Sequence, residues 1–470
     1  MRTMDTADSR SLPRVVVAGL GGDSGKTLTS LSLLLLASKA GLGVTAFKKG
    51  PDYIDAAWLG WASGRPARNL DTWMMGPNVV IRSFWTHAET HALNLIEGNR
   101  GLYDGFDAHG SHSTAELAKL LGAPVLLVLN ATKMTGTAAA LVLGCQRLDP
   151  EVHIAGVILN QVANRRHESV LRDAIVSSCG VPVLGAIPRG REELLLPGRH
   201  LGLVTPQEHS EIDGLQRNLL ALTESRLDLK KIMEIAQDAL PLQPPPATQE
   251  NLPEGQGLKI GLIRDSAFTF YYPENIEAIE RSGATIVTIC SLSNSHLPPD
   301  LDALYIGGGF PEIQGVAISS NRPFLASLRE AAEKGLPIYA ECGGLMLLAR
   351  AIHWNSQRHI MSGVLPFDVE VCASPQGHGY TTITVDQSNP FFPVGTELRG
   401  HEFHYSRILA GEESPSTACA VRRGTGSFPG RDGVIVKNVW AAYTHLHGLA
   451  TPEWAAGMLR AATAWRARRS

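Results

Sequence analysis

The sequence predicts an α/β protein of two successive domains, each built on a mostly parallel sheet. Three observations predict it. Short, continuously apolar, β-branched runs alternate with helix-length segments; a Pro/Gln/Gly-rich break, "LPLQPPPATQENLPEGQG" (240–257), interrupts the alternation; and the alternation then restarts. Continuous apolar runs of strand length mark strands buried on both faces, as in parallel sheets. A stretch with so little to bury reads as a linker. The expected boundaries are a first domain over 12–238, a linker over 239–257 and a second domain over 258–465.

In the first domain "RVVVAGL" (14–20) is a strand followed by glycines, and "TLTSLSLLLLASKAG" is a helix. "GVTAFKK", "GAPVLLVLNAT" (122–132), "HIAGVILNQ" (153–161) and "VPVLGAIP" (181–188) are further strands. In the second, "LKIGLIRD", "ATIVTICSL", "LDALYIGGG" and "LPIYAE" are strands, separated by the helices "PENIEAIERSG" and "NRPFLASLREAAEKG". The 470 residues suffice for two or three domains at roughly 100–200 residues each.

Composition excludes several classes. The balance of 42 basic to 45 acidic residues asks for neither nucleic acid nor an anionic membrane as partner. Six cysteines without a CxxC argue against a disulfide framework or zinc site and suit a reducing cytoplasm. The N-terminal residues lack an apolar signal core, and "LSLLLLA" is too short to span a bilayer. A cytoplasmic enzyme is expected.

Two segments carry chemistry. "GLGGDSGKT" (19–27) lies between a strand and a helix. It is a variant phosphate loop, with Leu20 where the strict pattern wants glycine. Gly21, Gly22 and Gly25 let backbone amides cradle phosphates, Lys26 reaches them, and the Thr27 hydroxyl can ligate Mg²⁺. Asp52, Asp55, Glu97 and Asp104, in "KKGPDYIDAAW" and "LIEGNRGLYDGF", are further candidate Mg²⁺ ligands near strand ends. The bland alternative for each is a capping or solvated carboxylate.

The second is "LPIYAECGGLMLLARAI", read as strand, sharp turn, helix, with Cys342 at the turn. A nucleophile there is exposed at the carboxyl end of the sheet. The following amides and helix N-terminus are expected to lower its pKa and bind an oxyanion. The alternative is a small buried hydrophobe, the usual fate of a free cysteine. A base comes from "AAYTHLHGLATPEW", which offers His445 and His447. "LRGHEFHYS" adds His401 and His404, a weak metal pattern, and "LYIGGGFPE" offers glycine amides.

In combination, "FKKGPDYID", "IEGNRGLYDG", "GVILN", "YYPENIEAIE", "YIGGGFPE", "YAECGGLMLL" and "RGHEFHYS" resemble the glutamine-dependent cobyrinate/cobyrate synthase family, from about residue 14 to about 450. The resemblance implies a P-loop domain similar to dethiobiotin synthetase, followed by a class I glutamine amidotransferase domain. It implies that Cys342 forms a glutamyl thioester and releases ammonia, with His445 as base and His447 as the close alternative. Amides near Gly308, Gly309 and Gly343 would hold the oxyanion. In the first domain ATP would phosphorylate a carboxylate of a tetrapyrrole, and ammonia would displace the phosphate. Thr27, Glu97 and an Asp of "PDYID" resemble the Mg²⁺ shell, Lys26 and Lys48 would neutralise phosphate, and Asn160 would read adenine. Tyr53, Ile54 and Asp104, with Asp52 and Lys48, would meet the substrate acid. The chain departs from the family pattern at Asn130 and Ala442. Cobyrinate is the expected acceptor; hydrogenobyrinate, nickel sirohydrochlorin and siroheme are alternatives, and a regulatory P-loop ATPase is a more distant one. A homodimer is one assembly open to it.

Overall fold

The computed structural model describes residues 9–190, 198–199, 202–209, 211–246, 253–409 and 415–469. The chain divides into two compact units, Met1–Ala247 and Thr248–Ser470. Residues 247–252 of the expected linker lie outside the described residues.

The first unit holds a seven-stranded sheet of β1 (Arg14–Gly19), β2 (Gly43–Lys49), β3 (Arg68–Leu70), β4 (Ala92–Glu97), β5 (Val125–Asn130), β6 (Ile154–Val162) and β7 (Val183–Pro188). The spatial order is β3-β2-β4-β1-β5-β6-β7, with every neighbouring pair parallel. The apolar runs have the predicted cause: Val15, Val16 and Val17 are all fully buried, so both faces are covered. Helix α1 (Lys26–Lys39) is apolar almost all round because it packs on β1, β2 and β4 and is covered by the helix Ile212–Thr223. The central place of β1 puts the loop after it at the carboxyl edge of the sheet, where open α/β sheets bind ligands.

The second unit departs from a simple alternating pattern. Its nine-stranded sheet has parallel strands Thr285–Ile289, Lys259–Ile263, Ala303–Ile306, Ile338–Glu341 and Val439–Ala442, in that spatial order. Four antiparallel strands follow: Arg431–Val436, Thr417–Arg423, Gly377–Val385 and Glu397–His404. A separate four-stranded sheet joins Gln357–Ile360, Ala351–Trp354, Asp368–Val371 and Ser406–Leu409. The long crossing from 342 to 439 thus returns the chain to the strand beside the cysteine. Glu341 pairs with Ala442, so residues 342 and 443 leave the sheet side by side. Tyr305, Tyr339, Trp440 and Trp454 form the aromatic centre beneath that edge.

Candidate active sites

The phosphate loop of the first unit is formed. Gly25 adopts φ +91° at the start of α1, a left-handed conformation that favours glycine, and Asn160 Nδ2 lies 2.0 Å from where a Cβ would be. Gly21 and Gly22 have open space where side chains would stand. Ser24 Oγ donates to the Gly21 carbonyl at 2.8 Å, and Lys26 Nζ folds back onto the same oxygen at 2.7 Å. Burial, then the charge of Lys48, pulls the Lys26 ammonium below the ordinary lysine range. A partly desolvated cation is thereby held ready for anionic phosphate.

Beneath the loop sits a buried ionic cluster. Lys48 Nζ donates to Asp55 Oδ2 at 2.6 Å and to Glu97 Oε1 at 2.8 Å, and Thr27 Oγ1 donates to the same Glu97 oxygen at 3.1 Å. Burial alone would lower the Lys48 pKa, but Asp55 and Glu97 outweigh it and hold the ammonium above its ordinary range. Burial raises Glu97 against the pull of Lys48. Glu97 Oε2 is buried without a hydrogen-bond partner among the described residues. A buried carboxylate, next to a hydroxyl and a phosphate loop, is a donor set that fits a hard cation.

Three of the expected site residues have partners within the fold. Asp52 caps the helix Tyr53–Ser63: its Oδ1 accepts from the amides of Ile54 and Asp55 at 2.8 and 2.9 Å. That oxygen is spent, and among the described residues no three His, Cys, Asp or Glu side chains form a metal cage. Thr27, Asp55 and Glu97 are the expected cation ligands that gather around Lys48. Asn160 is fully buried, donates from Nδ2 to the Ser24 carbonyl at 3.2 Å and accepts the Gln161 amide. It braces the phosphate loop and has no face turned outward for a base. Asp104 accepts the Gly101 amide at 2.8 Å and orders the loop after β4. Tyr53 and Ile54, in the first turn of the capped helix, are half-buried. Asn130 holds a turn, accepting from the Thr132 amide.

In the second unit the cysteine sits on a strained elbow. Cys342 has φ +48° and ψ −98°, between the strand Ile338–Glu341 and the helix Gly343–Leu348. That conformation costs on the order of 1–3 kcal/mol in a non-glycine residue and marks functional sites. Gly343 and Gly344 permit the close packing: a Cβ on Gly343 would come within 2.9 Å of the Gly309 amide nitrogen. The expected lowering of the thiol pKa is not what the fold delivers. Burial pushes the thiol up, Glu312 adds to the rise, and the hydrogen bond from the Gly343 amide opposes them without prevailing. A helix of six residues carries too small a dipole to offset that burial. Cys342 therefore requires a base.

The base segment, 443–448, is pinned on every side. Asp432 accepts the amides of Tyr443 and Thr444, Glu341 accepts that of Leu446, and Asn275 binds the Leu446 carbonyl and Gly448 amide. His445 and His401 exchange backbone hydrogen bonds at 2.8 and 3.2 Å and stack their rings at 5.0 Å. His445 Cε1 lies against Gly308, 2.6 Å from where a Cβ would be, and its Nδ1 is 3.6 Å from Glu341 Oε2. His447 is used elsewhere: Nδ1 accepts the Leu449 amide, Nε2 lies 3.5 Å from Glu274, and the ring packs on Tyr272. Gly308 and Gly309 thus lie between His445 and Gly343. Gly309 has φ +151°, and a Cβ there would come within 2.1 Å of the Ala267 carbonyl oxygen.

His401 was named from the sequence beside the candidate bases; Glu341, Asp432 and Asn275 were not. Burial, then His445 and His447, holds the His401 imidazole well below its ordinary pKa, so it is neutral. The position of Glu341 directly before the cysteine was a usable signal; Asp432 and Asn275 had none.

A phosphate loop at the carboxyl edge of a parallel sheet, and a cysteine elbow beside a pinned histidine, define a nucleotide-using glutamine amidotransferase. Residues 15–203 match the CobQ/CobB/MinD/ParA nucleotide binding domain, and residues 259–452 match the CobB/CobQ-like glutamine amidotransferase domain. Three relatives named cobyrinate a,c-diamide synthase match nearly end to end. That of Magnetococcus marinus is 41% identical over 98% of each chain. That of Dehalococcoides mccartyi is 40% identical over 96% of this chain and 98% of its own. That of Archaeoglobus fulgidus is 38% identical over 93% and 95%. The chain belongs to the cobyrinate a,c-diamide synthase family, and it is a glutamine-dependent, amide-forming carbon–nitrogen ligase. Among the described residues, no helix is long and apolar enough to cross a membrane.

Proposed function

We propose that the chain amidates the a and c carboxylates of cobyrinate, using ATP and glutamine. The observation that carries the reading is the end-to-end identity with the synthases above, and the formed phosphate loop and the cysteine elbow support it.

In the second unit, His445 takes the Cys342 proton and the sulfur attacks the glutamine side-chain amide. The Gly308, Gly309 and Gly343 amides receive the oxyanion. The C–N bond breaks, the nitrogen leaves as ammonia with the proton from His445, and water hydrolyses the thioester. His445 is the base because Nδ1 faces Glu341 and leaves Nε2 for the thiol, whereas His447 is committed to Leu449 and Glu274. In the first unit, Gly21, Gly22 and Gly25 cradle the ATP phosphates. Lys26 and Lys48 balance their charge, and Tyr53, Ile54 and Asp104 border the substrate carboxylate. Thr27, Asp55 and Glu97 would hold Mg²⁺, which when bound neutralises phosphate oxygens. A carboxylate is a poor electrophile; phosphorylation gives it a leaving group, and ammonia kept from water stays unprotonated and nucleophilic.

The test is incubation with ATP, Mg²⁺, glutamine and each of cobyrinate, hydrogenobyrinate, nickel sirohydrochlorin and siroheme, followed by mass spectrometry of the macrocycle. Two amides on cobyrinate are expected. Amidation of another macrocycle in its place moves the substrate assignment, and amidation of none refutes the reading. A Cys342→Ala variant is expected to lose glutamine-dependent amidation and keep the ammonium-dependent reaction; loss of both removes Cys342 from its role.

A further inference from the structure

We propose that Glu341, the residue directly before the nucleophile, is the positioning residue of His445: its carboxylate holds the Nδ1–H of the imidazole and so aims Nε2 at the Cys342 thiol. The inference rests on the amidotransferase reading and completes it with a third group.

Glu341 ends the strand Ile338–Glu341 and is fully buried. Burying a carboxylate is costly unless donors surround it. Oε1 accepts the Leu446 amide at 3.0 Å, the residue next to His445, and Oε2 accepts the Tyr305 hydroxyl at 3.1 Å. The second oxygen lies 3.6 Å from His445 Nδ1, within ion-pair range and slightly long for a direct hydrogen bond. Catalytic hydrogen bonds of this kind are often long before substrate binds. One side chain thereby fixes the backbone and the ring of the base together. Other buried carboxylates nearby are engaged differently: Glu274 faces His447, and Glu402 accepts the amides of Thr425 and Gly426.

The carboxylate acts when the proton moves. As Sγ–H passes its proton to Nε2, the imidazole becomes a cation, and Glu341 is the anion beside it; the Nδ1 proton stays on the ring. Around His445 lie Glu341 and the neutral His401 ring, with His447 two residues on, and Glu312 and Glu402 act on the Cys342 thiol from other elements. Glu341 is the carboxylate within ion-pair distance of the ring. An adjacent anion favours the protonated ring, so its removal makes the ring easier to deprotonate.

Glu341→Gln tests this through glutamine hydrolysis without any tetrapyrrole, assayed across pH beside ammonium-dependent amidation. The expected result is a roughly 10- to 1,000-fold fall in kcat for glutamine hydrolysis. The KM for glutamine should hold, the acid limb of the pH profile should move to lower pH, and the ammonium-dependent rate should stand. Wild-type hydrolysis, an unmoved acid limb, or equal loss of the ammonium reaction would each overturn the proposal. Should Glu341→Gln fail to fold, Glu341→Asp keeps the charge and withdraws it from the ring; a wild-type kcat there also overturns it. His445→Ala separates the premises: if it still hydrolyses glutamine, the base assignment fails, whatever Glu341 does.

Discussion

Gly308→Ala is a one-methyl test of whether His445 geometry limits glutamine use. Gly308 does not need a left-handed backbone, so alanine there meets no conformational penalty of its own. Its Cβ would stand 2.6 Å from His445 Cε1 and 3.3 Å from Phe270 Cδ2. Carbon atoms pack at about 3.5–4.0 Å, so the imidazole must withdraw by about 1 Å. The stacked His401 ring and the paired backbones of 401 and 445 restrict the retreat. A misplacement of about 1 Å costs on the order of 100-fold in rate, equivalent to about 2.7 kcal/mol. The assay compares kcat for glutamine hydrolysis with ammonium-dependent amidation by the same preparation. The hydrolysis should fall by about two orders of magnitude while the ammonium reaction is unchanged. Hydrolysis at the wild-type rate would refute the argument, as would equal loss of both activities.

Other predictions follow from the same contacts. Asn160→Ala should raise the KM for ATP about tenfold, through a slack phosphate loop, without altering the preference for ATP over GTP; a changed base preference would return Asn160 to reading adenine. Because burial holds the Cys342 thiol above its ordinary range, its alkylation by iodoacetamide in the absence of glutamine should keep accelerating through pH 9. A plateau near pH 7 would contradict this. Burial first, then Asp55, raises the Asp52 pKa from 3.8 to about 6. The folded state therefore binds this proton more tightly than the unfolded chain, and the stability it confers is present below about pH 4 and lost as pH rises through 6. Asp52→Asn keeps a capping oxygen and removes the charge, so without ligands it should raise Tm at pH 7.5, by up to about 3 kcal/mol in stability, with little gain at pH 4. A lower Tm at pH 7.5 would count against it.

Most strands of the first unit and of the first half of the second were legible, because strands buried on both faces must be continuously apolar; Arg68–Leu70 and Ala92–Glu97 were not read as strands. The phosphate loop and the cysteine turn were legible too: each is local, made by consecutive residues whose glycines announce the backbone they need. The antiparallel strands between 377 and 436 were not read. Their burial alternates, as in Gly377–Val385 and Glu397–His404, and no helix-length segment separates them. Asp52 caps the helix two residues on, a local role that the sequence left open beside cation binding. Asn160, marked by the resemblance, meets the Ser24 carbonyl 136 residues away, a contact that shows only when distant strands lie side by side.

By itself the sequence pointed to the family, which the relatives show, and to the phosphate loop and the Cys342 turn as the places where chemistry is expected. The resemblance favoured His445 over His447, and the tertiary structure supplies a physical reason for that preference. His445 and His447 are chemically identical and two residues apart. Pairing of Glu341 with Ala442, about a hundred residues onward, sets His445 against Gly308 and Glu341 and turns His447 to Glu274. The thiol pKa was decided by the tertiary structure alone, because desolvation depends on everything packed around the sulfur, and that packing outweighed the turn and glycines beside it.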